Sequence, residues 1–126
     1  MIQASPLQEN QRQKVLSKAI IRTAGTLGLS NAKLAAIIGL SPSTITRLGK
    51  GTYLLNEGKK EWEFGTLFIR LFRSLDSITG GNDEASRTWL ESANSALAGQ
   101  KPVDLIATTE GLIHVVTYLD AKRGII

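Results

Sequence analysis

The chain has 126 residues, 42% hydrophobic and 21% charged, the make-up of one ordinary globular domain or two small ones. No apolar run approaches membrane-spanning length, MIQASPLQEN has no signal-peptide pattern, and the absence of cysteine excludes disulfide staples and thiolate metal sites. The net charge of +4 is unevenly placed: residues 1–60 carry nine Lys/Arg against two Asp/Glu, residues 61–126 six against nine. A basic half and an acidic half point to two different partners, the basic one suited to phosphate.

Residues 1–10 are expected to form a loose arm containing Pro6. From Gln11, Val15, Ala19, Ile20 and Ala24 recur at helical spacing, and the pattern ends near Gly25 to Gly28. Lys14, Lys18 and Arg22 follow one another along the outer face, either as a solvated surface or as auxiliary phosphate contacts. Ser30 and Asn31 then cap a second helix carrying Leu34, Ala35 and Ile38. Gly39 breaks that helix where the turn needs a positive φ. In Leu40-Ser41-Pro42, Ser41 is a good N-cap, Pro42 suits the first helical position, and Leu40 can staple onto Ile45.

Two short helices meeting at a glycine corner, with Ile45 and Leu48 turned to a shared core, make a helix-turn-helix. Ser43, Thr44, Thr46, Arg47 and Lys50 remain outside on its second helix. Short hydrogen-bonding groups and two cations are the chemistry that reaches base edges and phosphates. With Lys33 and Ser41 they form the candidate DNA-binding set. The segment resembles the DNA-binding unit of Xre-type, phage-repressor-like regulators.

Gly49-Lys50-Gly51 is a stop signal, and 52–58 read as a loop with Tyr53, Leu54 and Leu55 packed down. Residues 59–77 form a long helix whose Phe64, Leu67, Phe68, Leu71, Phe72 and Leu75 make a wide apolar face. Gly80-Gly81 ends it and Asn82 caps the next, which carries Trp89-Leu90. Pro102 opens a short helix. Thr109 is expected to cap the last one, and Gly124 to end it. Its Leu112, Val115, Val116 and Leu119, with Ile113 and Tyr118, offer more apolar surface than a small domain obviously needs. A dimer contact, a partner contact or complete internal burial would each account for it. Gly111, costing about 1 kcal/mol relative to Ala inside a helix, implies that another backbone or side chain comes close. No strand is expected.

Residues 89–124 are similar to the toxin-binding domain of Xre/MbcA/ParS-like antitoxins. Trp89-Leu90, Asn94, Leu97, Gly99, Pro102, Leu105-Ile106, Thr109-Glu110-Gly111, Val115 and Leu119 fall in the family's order. The Ser74-Leu75-Asp76 step and the helix-turn-helix extend the resemblance over nearly the whole chain after the arm. It implies an all-α fold, with an N-terminal Xre-type helix-turn-helix bundle followed by a small helical toxin-binding and dimerisation domain. It also implies self-association as a homodimer, cytoplasmic location and neutralisation of a RES-domain toxin, a class similar to NAD-consuming enzymes. On this reading 11–58 bind operator DNA, an inverted repeat. Residues 59–126 bind the toxin and are expected to do so as a separate fragment. The candidate toxin-contacting residues are Trp89, Gly111, His114, Tyr118, Lys122, Arg123, Gly124, Ile125 and Ile126. Arg123, on a cationic helix tip, is expected to enter the toxin's active site.

No enzyme is expected, and no cofactor or metal. The single histidine, His114, lies among apolar residues and cannot alone build a His-rich site. Glu61 and Glu63 point to different helix faces, and Gly80-Gly81 lacks the strand and lysine of a phosphate loop. Two further readings stay open. One is a simple repressor whose C-terminal half only dimerises, the other an adaptor whose helix-turn-helix no longer binds DNA.

Overall fold

A computed structural model of the chain describes residues 6–124. In order it has α1 (Pro6–Leu27), α2 (Asn31–Ile38), α3 (Pro42–Lys50), α4 (Lys60–Ile78), α5 (Asp83–Glu91), a single 3-10 turn (Ser95–Leu97), α6 (Pro102–Leu105) and α7 (Thr109–Arg123). The described residues contain no strand, only an isolated antiparallel bridge between Asn94 and Gln100. None of their helices is long and apolar enough to cross a membrane. The fold is therefore all-α, as expected.

The caps explain most of the boundaries. Ser30 accepts from the Lys33 N–H, Ser41 from Thr44 and Asn82 from Ala85, each satisfying an orphan donor of its helix. Gly39, Gly51 and Gly124 end their helices at φ 82°, 76° and 83°, in the left-handed region. Two boundaries differ from the sequence expectation. α1 starts at Pro6, so the arm expected over 1–10 is helical from that residue, with 1–5 outside the described residues. The cap of α7 is Thr108, not Thr109: its hydroxyl accepts from the Gly111 N–H at 3.1 Å.

α4 is the central rod. It packs on α1 and α2 on one side and on α5 and α7 on the other. Its Phe68, Leu71 and Leu75 are fully buried in one cluster with Ile20, Leu34, Ile38, Ile45, Leu90, Ile106, Leu112, Val115 and Leu119. Each such side chain is worth roughly 1.5–3 kcal/mol of burial. Gly65 lets α4 approach α1 closely, since a Cβ there would lie 2.7 Å from Ile20 Cδ1. The apolar face of α7 is thus spent inside the molecule: Leu112, Val115, Val116 and Leu119 are all buried, and only Ile113 stands out, at 49% exposure. The surplus surface suggested by the sequence is covered by α4.

One polar knot bridges α4 and α7. The buried carboxylate of Asp120 accepts from Arg70 Nε and from Ser74 Oγ, both at 2.8 Å, and Arg123 Nη1 donates to Ser74 Oγ at 3.3 Å. Two ties also join the halves. Arg87 of α5 donates to the Thr26 carbonyl at 2.9 Å, and Lys33 of α2 pairs with Asp104 of α6 at 3.5 Å.

Candidate functional site

The outer side of α3 is built from its cap upward. The Ser41 hydroxyl meets those of Thr44 (2.8 Å) and Ser43 (3.1 Å) while accepting from the Thr44 N–H. One turn on, Arg47 Nη2 donates to Thr44 Oγ1 at 3.2 Å. Its guanidinium carbon lies 5.6 Å from the centroid of the Tyr53 ring, within cation–π range. Thr46 donates back to the Pro42 carbonyl at 3.2 Å and accepts from Asn31 Nδ2 at 3.4 Å. Ser41, Ser43, Thr44 and Arg47 therefore form one hydrogen-bonded array, with Thr46 and Asn31 on its edge. From Asn31 to Gly51 the sequence has no Asp or Glu to repel phosphate.

Lys50 is exposed at the far end of α3. With Lys14 and Lys18 of α1 it borders an open hollow of about 520 Å³. Three cations around one concavity suit a phosphate backbone, and they place the Lys14 and Lys18 stripe beside the recognition helix. Lys33 stands apart from the array, its ammonium engaged with Asp104. Both partners are exposed, and such pairs are worth at most about 1 kcal/mol, so the contact does not fix Lys33 in place.

Sequence reasoning missed Asn31 and Tyr53. Asn31 lies fifteen residues from Thr46, and nothing but the crossing of α2 and α3 joins them. Tyr53 is held from behind: its hydroxyl donates to Glu61 Oε2 at 2.5 Å, and the Asn56 N–H donates to the same oxygen at 2.9 Å. Glu61 is only 6% exposed. The phenol pKa is pushed up to about 12, first by burial, then by the hydrogen bond to Glu61 and by that carboxylate's charge, with Arg47 pulling the other way.

The candidate toxin-contacting residues divide. On the outward side of α7, the Tyr118 ring stacks on Trp89 with centroids 6.3 Å apart and planes 14° from parallel. Lys122 Nζ lies 5.6 Å from the Tyr118 centroid. His114, one turn before Tyr118, is exposed beside Ile113. Trp89, His114, Tyr118 and Lys122 thus share one surface, an aromatic step with a cationic end. Gly111 does not join them. It is buried, and a Cβ there would lie 1.8 Å from the Leu105 carbonyl oxygen. The close approach its presence implied is made by the chain's own α6, not by a partner. Arg123 also turns elsewhere, toward Ser74, and with Arg70 and Arg73 lines a hollow of about 590 Å³ against α4 and Leu16. Gly124 is the helix end, and Ile125 and Ile126 lie outside the described residues.

Residues 6–70 match the family model of the antitoxin Xre-like helix-turn-helix domain. Residues 74–124 match that of the antitoxin Xre/MbcA/ParS C-terminal toxin-binding domain. No curated protein matches the chain.

Proposed function

The chain belongs to the Xre-like antitoxins, and on that premise we propose that it inhibits a RES-type, NAD-consuming toxin and represses its own operon through α3. The observation that carries the DNA half is the acid-free array on α3, where Ser43, Thr44 and Arg47 stand on one exposed side, already hydrogen-bonded into register. Arg47 is the leading base reader, since guanidinium can engage guanine in bidentate fashion. Lys14, Lys18 and Lys50 supply phosphate contacts from the neighbouring hollow. As a homodimer the antitoxin would present two such helices, and its operator would be an inverted repeat with half-sites about one turn apart.

The toxin half rests on the outward surface of Trp89, His114, Tyr118 and Lys122. A large, rigid aromatic pair is the kind of anchor that dominates protein interfaces. Both rings are partly buried and pack against the core, so the pair is held rigid while its accessible part stays open to a partner. The tip of α7 then obstructs the toxin's active site, with Arg123 released from Ser74 to do so, a contact at 3.3 Å on an exposed side chain. Gly111, buried against the Leu105 carbonyl, is not part of this proposed contact set.

Two measurements test the reading. The first is binding of purified protein to duplex DNA from upstream of its own reading frame, with Arg47→Ala expected to weaken it by about 1–3 kcal/mol. Unchanged affinity in the folded variant would remove Arg47 from the DNA-contacting set, and a uniform loss across all sequences would make it a phosphate contact. The second is NAD consumption by the product of the adjacent reading frame, with and without this chain. An adjacent product that neither binds the chain nor consumes NAD would refute the RES assignment.

A further inference from the structure

Arg47 has a support that runs back into the core. Gly51, at φ 76°, turns the chain over the end of α3. The N–H groups of Thr52 and Tyr53 then donate to the Arg47 carbonyl at 3.0 and 3.3 Å, and Thr52 Oγ1 donates to it at 3.3 Å. This fixes the backbone end of Tyr53 against the residue whose side chain it carries. The other end is fixed by Glu61, on the first turn of α4, one oxygen of which accepts hydrogen bonds from the phenol O–H and the Asn56 N–H. The ring is thereby held at both ends, with one face toward the Arg47 guanidinium. The loop behind is pinned in turn where the Leu55 N–H donates to the buried Ser17 hydroxyl at 3.1 Å.

We propose that Tyr53 and Glu61 are positioning residues for DNA readout: Glu61 locks the Tyr53 ring, and the ring holds the Arg47 guanidinium in the direction of a base edge. The proposal rests on the reading of α3 as the DNA-contacting helix. An arginine free to sample all rotamers loses that freedom when it engages a base. One already clamped between Thr44 Oγ1 and an aromatic face has less to lose. Clamping also fixes the plane of the fork, which decides whether two parallel hydrogen bonds to one base can form. The carboxylate that anchors the ring is buried in the core and occupied by two donors, so it does not face the phosphates. A phenol pushed up to about 12 remains a proton donor to Glu61 across the whole working pH range.

The test is a double-mutant cycle. Tyr53→Leu removes the ring, Tyr53→Phe keeps the ring and frees it from Glu61, and each is made with Arg47 and with Arg47→Ala. The readout is the ratio of affinities for a duplex from the chain's own upstream region and for a shuffled duplex of equal length, at one salt concentration. With Arg47 present, Tyr53→Leu should lower the ratio about three- to tenfold and Tyr53→Phe by less. With Arg47→Ala, neither should change it. In the free protein the Arg47 Nε–H resonance should shift when the ring is removed, a readout that needs no DNA. Equal losses in both backgrounds would overturn the proposal, because Tyr53 would then act on the fold or on DNA directly. An unchanged ratio for Tyr53→Leu while Arg47→Ala lowers it would also overturn it, leaving the α3 reading intact. If Arg47→Ala leaves the ratio unchanged, Arg47 is not a base reader and the positioning role fails, while the overall affinity of that variant reports separately on the α3 reading. Should Tyr53→Leu not fold, Tyr53→Phe and the resonance shift carry the same test.

Discussion

Gly111→Ala separates an internal from an external reason for a glycine in α7. In an open helix the change would stabilise by about 1 kcal/mol through backbone entropy alone. Here the new methyl would lie 1.8 Å from the Leu105 oxygen and 2.7 Å from its carbon. Both atoms belong to backbone, so no side chain can swing aside, and α6 must separate from the start of α7 by more than an ångström. Overpacking of this kind costs about 3 kcal/mol. The methyl would also press on Thr108 Oγ1, 3.0 Å away, and loosen the cap at a further cost of about 1 kcal/mol. Set against the entropy gain, the net loss is about 3 kcal/mol, or a Tm lower by roughly 10 °C in a chain of this length. The control is Gly25→Ala in α1, where nothing lies within 4 Å of the new methyl and a gain of about 0.5–1 kcal/mol is expected. Thermal unfolding of the two variants followed by circular dichroism decides the matter. If Gly111→Ala melts as high as wild type, the packing argument fails. The glycine would then be there for a partner's approach.

Three other outcomes follow from the contacts. Because the folded phenol of Tyr53 titrates near 12 against 10 in the unfolded chain, its contribution is complete below pH 10 and is lost as pH rises toward 12. The Tm difference between wild type and Tyr53→Phe should therefore shrink over that window, and a constant difference would contradict the raised pKa. Asp120→Ala strips Arg70 and Ser74 of their shared acceptor between α4 and α7 and should cost about 1–3 kcal/mol in denaturant unfolding. Removal of residues 122–126 should cost under about 1 kcal/mol, a dipole contribution and the Arg123 contact with Ser74. It should nevertheless leave bound toxin partly active. Full inhibition by the folded truncation would make the tip a bystander.

The parts of the molecule legible in the sequence are those that local chemistry decides. The two helices of the α2–α3 unit are bounded by Ser30, Gly39, Ser41 and Gly51, each a cap or a left-handed turn at the expected place. Where local signals were degenerate the outcome went elsewhere. Thr108 and Thr109 are equally good caps, and only the reach to the Gly111 N–H selects the first. The polar run before Val15 has no apolar stripe, so periodicity could not carry α1 back to Pro6. Tertiary partners were out of reach altogether. Tyr53 and Glu61 lie eight residues apart across a loop, and Arg70 and Asp120 fifty apart across two helices. Which of the three accounts of the α7 apolar face holds was undecidable for the same reason, because what covers Leu112 and Val116 is α4, and its approach is not written in α7.

The reading of 11–58 and 59–126 as two units places their border between residues 58 and 59, in the loop before α4. The two matched segments, 6–70 and 74–124, instead meet inside α4, a single helix from Lys60 to Ile78. α4 gives one side to α1 and α2 and the other to α7, so a chain beginning at Lys59 would keep the rod and lose half of its cover. Ile20, Leu55 and Leu16, which surround Gly65, would all be gone. So would the Arg87 contact with Thr26 and the Lys33 pair with Asp104. Exposure of so much apolar surface opposes independent stability in a fragment of this size. A truncated chain that fails to bind toxin would then report unfolding, not the location of the toxin contact. The two functions are better separated by exposed side chains that the core does not use: Arg47 on the α3 side and His114 on the α7 side, each replaced in the full-length chain. Loss of DNA binding alone from the first and of toxin binding alone from the second would establish two surfaces on one structural unit. Loss of both from either would show that the shared rod couples them.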